Sequence, residues 1–204
     1  LQVHAGEIVG VAGVDGSGTR ELVRVLAGRL APTVGTVRLP AAIGFVPEDR
    51  HRDALMLDAS LTENFALATA GAATGRLSWA TLTQHTAAVI EAFDVRGAAP
   101  HVPAAALSGG NQQKFVVGRA VTTAPAALVV ESPSRGLDVR AAREVHAALR
   151  ARRAAGAAVV VTSPDLDELL ALADRVVVCF DGTVHEVGRD ADRIARAMVG
   201  VTDV

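Results

Sequence analysis

The chain has 204 residues, half of them hydrophobic, with a formal net charge of −2. That length suits one α/β domain with a substantial core, or one domain plus a small subdomain. The near-neutral balance gives no reason to expect a nucleic-acid surface, and no apolar run approaches the roughly 18 residues of a membrane span. A single cysteine, Cys179, excludes an internal disulfide, and its setting in Val176 to Phe180 reads as a buried strand holding an inert core thiol.

Glu7 to Ala12 is a short apolar strand, and Gly13 to Gly18 is a glycine-rich turn. A helix is expected from Thr19 to about Leu30, with Leu22, Val23, Leu26 and Leu30 on its buried stripe. Gly35 to Leu39 and Ile43 to Val46 read as two further strands. From Asp58 to Phe93 the pattern turns helical, with Glu63 to Ala70 and Trp79 to Phe93 separated by a Gly- and Ala-rich break at residues 71–75. This stretch looks like an inserted helical subdomain, approximately residues 58–106, with Trp79 as its packing anchor. Another helix is expected over Gln112 to Thr123, then a strand over Ala127 to Val130. Helix Val139 to Ala155, strand Ala157 to Thr162 and helix Asp165 to Leu172 come next. Strands Arg175 to Phe180 and Thr183 to Val187 precede a terminal helix near Ala191 to Val199. Alternating strands and helices predict an α/β fold, a parallel sheet covered by helices on both faces. Arg143 and Arg150 fall seven apart and are expected on a solvated helix face. The six histidines show no metal-ligand spacing, and none is assigned to a metal.

Leu107, Ser108, Gly109, Gly110, Asn111, Gln112, Gln113 and Lys114 spell LSGGNQQK at the start of a helix. Two glycines there let backbone N–H groups approach an anion closely, the helix start favours negative charge, and Ser108 adds a hydroxyl donor. About a dozen residues beyond that helix an apolar strand runs into the polar turn Ser134 to Asp138. In sequence and spacing this stretch resembles the signature motif of the nucleotide-binding subunits of ATP-binding cassette (ABC) transporters. The Asn-Gln-Gln form, with the VPEDR-type segment Val46 to Arg52, resembles the branch that imports monosaccharides and nucleosides. The resemblance runs from about Gly6 to Gly188. It implies a P-loop NTPase-type sheet core flanked by helices, ATP as ligand, and a place at the cytoplasmic face of the cell membrane. It also implies three partners: a second cassette, membrane permease subunits and, indirectly, a substrate-binding protein. Family cassettes open with strands bearing an aromatic residue that stacks on adenine. Leu1 begins after that point, so an N-terminally truncated second cassette of a tandem protein is expected.

By the same resemblance Gly13, Val14, Asp15, Gly16, Ser17, Gly18, Thr19 and Arg20 form the phosphate loop. Thr19 stands where the lysine of the GxxxxGK[ST] pattern reaches the β/γ oxygens, and Arg20 where a hydroxyl ligates Mg²⁺. Glu131 aligns with the Mg²⁺-linked aspartate and Ser132 with the catalytic glutamate. Pro164 takes the place of the switch histidine, and Glu48 that of the loop glutamine. A serine takes no proton from water at neutral pH as a carboxylate does, so no catalytic residue is assigned. In the family the signature of one cassette completes the ATP site of the other. Leu107, Ser108, Gly109, Gly110, Asn111 and Gln112 are therefore expected to serve a partner's site, with Leu137 and Asp138 in the dimer turn. Mg²⁺ is expected at the partner's site rather than at this one, where an Arg20–Glu131 ion pair is expected in its stead. Two other readings stay open: a soluble ABC ATPase that works without a permease, and a regulatory pseudo-ATPase. The residues leave pentose, hexose and nucleoside open as cargo, with Gly13 to Gly16 and Pro47 to Arg52 closer to the nucleoside subgroup.

Overall fold

The computed structural model describes residues 1–70 and 75–201, so most of the break expected at 71–75 lies outside the described residues. The chain divides into two compact units. The first comprises Leu1–Phe45, Pro125–Ser132 and Leu149–Val204, and the second Val46–Ala124 and Pro133–Ala148.

In the first unit a six-stranded sheet is built from β1 (Ile8–Ala12), β2 (Ile43–Val46), β3 (Ala127–Glu131), β4 (Ala158–Thr162), β5 (Arg175–Phe180) and β6 (Thr183–Gly188). Their order is β2-β3-β4-β1-β5-β6. β1 pairs in parallel with β4 and β5, and β3 with β4, and the central residues of these strands are buried apolar runs. The side chains of Val9 and Val11 join Val23 and Ala27 of α1 (Thr19–Leu26) in one core cluster, with Val129, Val160 and Val177. On the opposite face Gly10 leaves just enough room for Leu169 of α7 (Leu166–Leu172), whose δ-methyl lies 3.6 Å from where a Cβ would stand. Helices therefore cover both faces, as the alternation predicts.

The sheet departs from the purely parallel expectation at its β6 edge. β5 and β6 pair antiparallel, Phe180 opposite Thr183, across the two-residue turn Asp181-Gly182. Both turn residues have positive φ (46° and 72°), the backbone that suits the twist of a tight hairpin. α1 stops four residues short of the expected Leu30, because Gly28 turns left-handed (φ 67°) just past its end. The strand expected over Gly35 to Leu39 is not formed. Val34 beside it is 90% exposed, and these residues pair with no strand among those described, so their β-propensity has no ladder to join. α8 (Ala191–Met198) buries Ile194 and starts at an Asp190 cap.

The second unit is helical. α2 (Arg50–Asp53) is capped by Asp49, α3 (Leu61–Thr69) by a Ser60/Glu63 capping box, and α4 (Trp79–Ala92) by Ser78. A 3₁₀ turn at Ala104–Ala106 leads to α5 (Gly109–Thr122), and α6 (Val139–Ala154) begins here and runs on into the first unit. Leu61, Phe65, Val89, Phe115 and Val116 make the core. Asn64 is buried among them. It donates from Nδ2 to the carbonyls of Met56, Ala59 and Ser60 and accepts from the Met56 N–H, which fixes the loop before α3. Arg119 of α5 is buried and donates to the Asn64 and Ala54 carbonyls, and burial lowers its pKa to about 10. Trp79 is not the packing anchor expected. It sits in the first turn of α4, 53% exposed, and the core side of that helix is carried by Leu82, Thr86 and Val89. Arg143 and Arg150 lie on the exposed face of α6, as their spacing predicts. Among the described residues no helix is long and apolar enough to cross a membrane.

Candidate functional site

Two sites stand out, one in each unit. In the first, the turn between β1 and α1 winds tightly around Gly13. A Cβ there would meet Thr19 Oγ1 at 2.2 Å, Ser17 Oγ at 2.5 Å and the Cys179 carbonyl oxygen at 2.9 Å, so only glycine fits. Gly16 and Gly18 both hold positive φ, at 82° and 93°. Gly18 caps α1 without a side-chain hydrogen bond, which leaves the first N–H groups of the helix open to an anion. The cradle thus fits phosphate in backbone shape. Its side chains differ from a strong phosphate loop. The Thr19 hydroxyl turns inward onto Ser17 Oγ at 2.9 Å, closing the loop on itself. Cys179 donates from Sγ to the Ser17 carbonyl at 3.2 Å, and burial pushes its thiol pKa up, as suits an inert prop.

Arg20 is exposed, and the ion pair expected with Glu131 is not formed. Glu131 lies buried at the end of β3 and is otherwise engaged, while the guanidinium keeps its hydration, which burial would cost it. Ser132 is buried with a left-handed backbone (φ 47°), its N–H donating to the Thr162 carbonyl at 2.7 Å. Pro164 is exposed, and the residue after it, Asp165, caps α7 by accepting from the Asp167 and Glu168 N–H groups.

In the second unit the signature glycines are not a turn before a helix that starts at Gln112. They are the first two residues of α5, and Ser108 is its cap. Ser108 is exposed and accepts from Asn111 Nδ2 at 3.0 Å and, more weakly, from the Asn111 N–H at 3.5 Å. With its lone pairs so engaged, the hydroxyl keeps a proton to donate outward. Asn111 Oδ1 in turn accepts from the Arg96 N–H at 2.9 Å. Leu107 is buried beneath the turn. A cavity of about 370 Å³ opens beside it, lined by Ser108, Gly110, Asn111 and Lys114 with Leu137 and Asp138 of the following turn. Gly110 packs so closely that a Cβ would stand 3.3 Å from the Gly136 carbonyl oxygen. Asp138 caps α6, and the Ala141 N–H it accepts holds its carboxyl below the ordinary range.

Gln112 does not face outward with its neighbours. It is 5% exposed and its amide is occupied by Ala104, Arg50 and His51. Glu48 pairs with Arg135 at 2.7 Å, tying the Val46 to Arg52 segment to the turn after β3. Sequence reasoning missed Arg50 and His51 as neighbours of the signature, although it singled out the segment that carries them. Lys114, named in the sequence only as the end of the motif, lies between Glu144 (3.6 Å) and Asp94 (3.9 Å).

A family model described as ABC transporter matches residues 1–135. The nucleoside import ATP-binding protein NupA of Lactococcus lactis subsp. cremoris is 41% identical over 92% of this chain and 40% of its own length. The ribose import ATP-binding protein RbsA 2 of Streptomyces coelicolor is 40% identical over 90% of this chain and 39% of its length. The chain therefore spans about 40% of the length of these relatives. Among solved structures, the dimeric structure of a bacterial ABC transporter cassette superposes with a TM-score of 0.80 over 94% of this chain and 89% of that one, at 21% identity. At that identity the match speaks for the fold alone.

Proposed function

The chain belongs to the ABC transporter family, and from that premise we propose that it is the ATP-binding domain of an importer of a sugar or nucleoside. In this reading it works at the cytoplasmic face of the membrane, paired with a second cassette under permease subunits fed by a substrate-binding protein. Its signature turn serves the ATP site whose phosphate loop lies on the partner cassette, and its own loop is the degenerate half. The relatives named for nucleoside and ribose import support the cargo class.

The observation that carries this division is the contrast between the two sites. At Gly13 to Arg20 the backbone cradle survives, but the Thr19 hydroxyl is turned onto Ser17 where a lysine would reach the phosphates. Losing such a charge-assisted contact costs about 1.5–3 kcal/mol, or roughly ten- to a hundredfold in affinity. At Ser132 no carboxylate is present to take a proton from water. At Ser108 to Asn111 nothing is missing: Ser108 is exposed at the cap of α5, and with Gly110 and Asn111 it lines a cavity at the start of that helix. When ATP and Mg²⁺ are bound at the partner's loop, they supply the scissile phosphate and its charge neutralisation. This chain's part is to hold Ser108 Oγ and the Gly109 and Gly110 N–H groups toward that anion and to exclude water from it.

In the assembled importer Gly109→Asp should abolish ATP turnover, because it sets a carboxylate where an anion must dock. A Cβ there would stand 2.7 Å from Arg50 Nη2, so the variant also pushes the outer end of that side chain aside. Thr19→Ala should leave turnover within about twofold, and the isolated chain should show negligible hydrolysis. Wild-type turnover by Gly109→Asp, or a purified chain hydrolysing ATP at about 1 s⁻¹ or faster, would overturn the reading.

A further inference from the structure

Gln112 sits one helical turn behind Ser108, and its N–H closes the first helical bond onto the Ser108 carbonyl at 2.9 Å. Its side-chain amide is fixed at both ends. Nε2 donates to the Ala104 carbonyl at 3.0 Å, which turns Oε1 toward residues 50 and 51. Arg50 donates to that oxygen from Nε at 3.2 Å, and His51 Nε2 lies 2.7 Å from it. An amide oxygen has two lone pairs, so it accepts both donors and is then satisfied. Because Oε1 only accepts, His51 carries its proton on Nε2. The outer end of Arg50 is placed as well: a Cβ on Gly109 would stand 2.7 Å from Arg50 Nη2, so the guanidinium uses the room that glycine leaves.

We infer that Arg50 and His51 are positioning residues for the signature turn, converging on Gln112 to fix where the first turn of α5 presents Ser108 and the glycine N–H groups. This rests on the reading of that turn given above. The physical need is plain. Gln112 is buried, and a buried amide oxygen stripped of its donors is costly, so the side chain would rotate or admit water. The displacement passes through the Gln112 N–H to the Ser108 carbonyl, and so to the cap. Neither Arg50 nor His51 has to touch nucleotide for this to matter, since a misplacement of about 1 Å in such a site costs orders of magnitude in rate.

The test pairs disruptive with conservative variants in the assembled importer. His51→Ala and Arg50→Lys should each lower kcat about tenfold or more with KM for ATP within about twofold, because the turn acts when the transition state forms. His51→Gln, which offers an amide N–H at a similar reach, should recover most of that loss. A second readout is independent of turnover. Hydrogen exchange of the Gln112 N–H, which bonds the Ser108 carbonyl, should accelerate in His51→Ala and return toward wild type in His51→Gln. Unchanged kcat and unchanged exchange in His51→Ala would overturn the inference. So would a His51→Gln protein as impaired as His51→Ala, or a loss that tracks only the amount of folded protein. Failure of the Gly109→Asp experiment would instead remove the functional reading, while the exchange result would still report on the clamp.

Discussion

Gly118 lies in the middle of α5, where it is buried against α4. A Cβ at this position would meet Phe93 Cδ2 at 2.7 Å, Val89 Cγ1 at 2.9 Å and Phe93 Cγ at 3.0 Å. Carbon atoms in comfortable contact stand about 3.5–4.0 Å apart, so Gly118→Ala forces the two helices roughly 0.8 Å further from each other. Val89 is fully buried, so its methyl has no solvent to move into. Overpacking of this kind costs about 1–3 kcal/mol, whereas alanine gains at most about 1 kcal/mol over glycine in helix propensity. Three contacts at or below 3.0 Å put the cost in the upper half of that range, about 2–3 kcal/mol, so the net expectation is a destabilisation of about 1–2 kcal/mol. Urea unfolding should show a lower midpoint with an unchanged m-value, since the surface exposed on unfolding barely differs. A variant as stable as the wild type, or more so, would mean that the α4–α5 contact is looser than described and would refute the reasoning.

Arg119→Lys keeps the buried charge but loses the fork that reaches the Asn64 and Ala54 carbonyls at once, so it should destabilise by about 1–3 kcal/mol in the same urea assay. The pH dependence of stability should carry a signature of Glu7. Burial works to raise its pKa, but the Arg175 guanidinium bonded at 2.6 Å and the His4 N–H prevail, and the folded value lies below the ordinary 4.5. Such a group stabilises the fold above its unfolded pKa and ceases to as pH falls through the folded value. The stability gap between wild type and Glu7→Gln should therefore be present at neutral pH and close as the solution is acidified below 4.5. A gap that widens on acidification would contradict the assignment.

Much of this protein is written locally. The continuous apolar runs of β1, β3 and β4 announce buried parallel strands, because a strand covered on both faces has no polar side to alternate with. Asp49, Ser60, Ser108, Asp165 and Asp190 each stand where a helix begins, because a short polar side chain satisfies an N–H that the helix leaves open. The glycines at 13, 16 and 18 mark a tight turn by themselves, but their reading as a phosphate loop drew on the resemblance carried by the distant Leu107 to Lys114 motif. What lay beyond the sequence were the contacts whose two halves come from distant segments. Gly35 to Leu39 has strand-like residues, but a strand exists only where another offers its ladder. Trp79 is large and apolar, yet its place in the first turn of α4 leaves it half in solvent. Arg20 and Glu131 sit at complementary positions by alignment, but hydration of the one and burial of the other keep them from pairing. The clamp on Gln112 joins residues 62 and 61 positions apart. Local periodicity fixes which face of an element is apolar, but the partner of a buried amide is chosen only when the chain packs and leaves that amide without water.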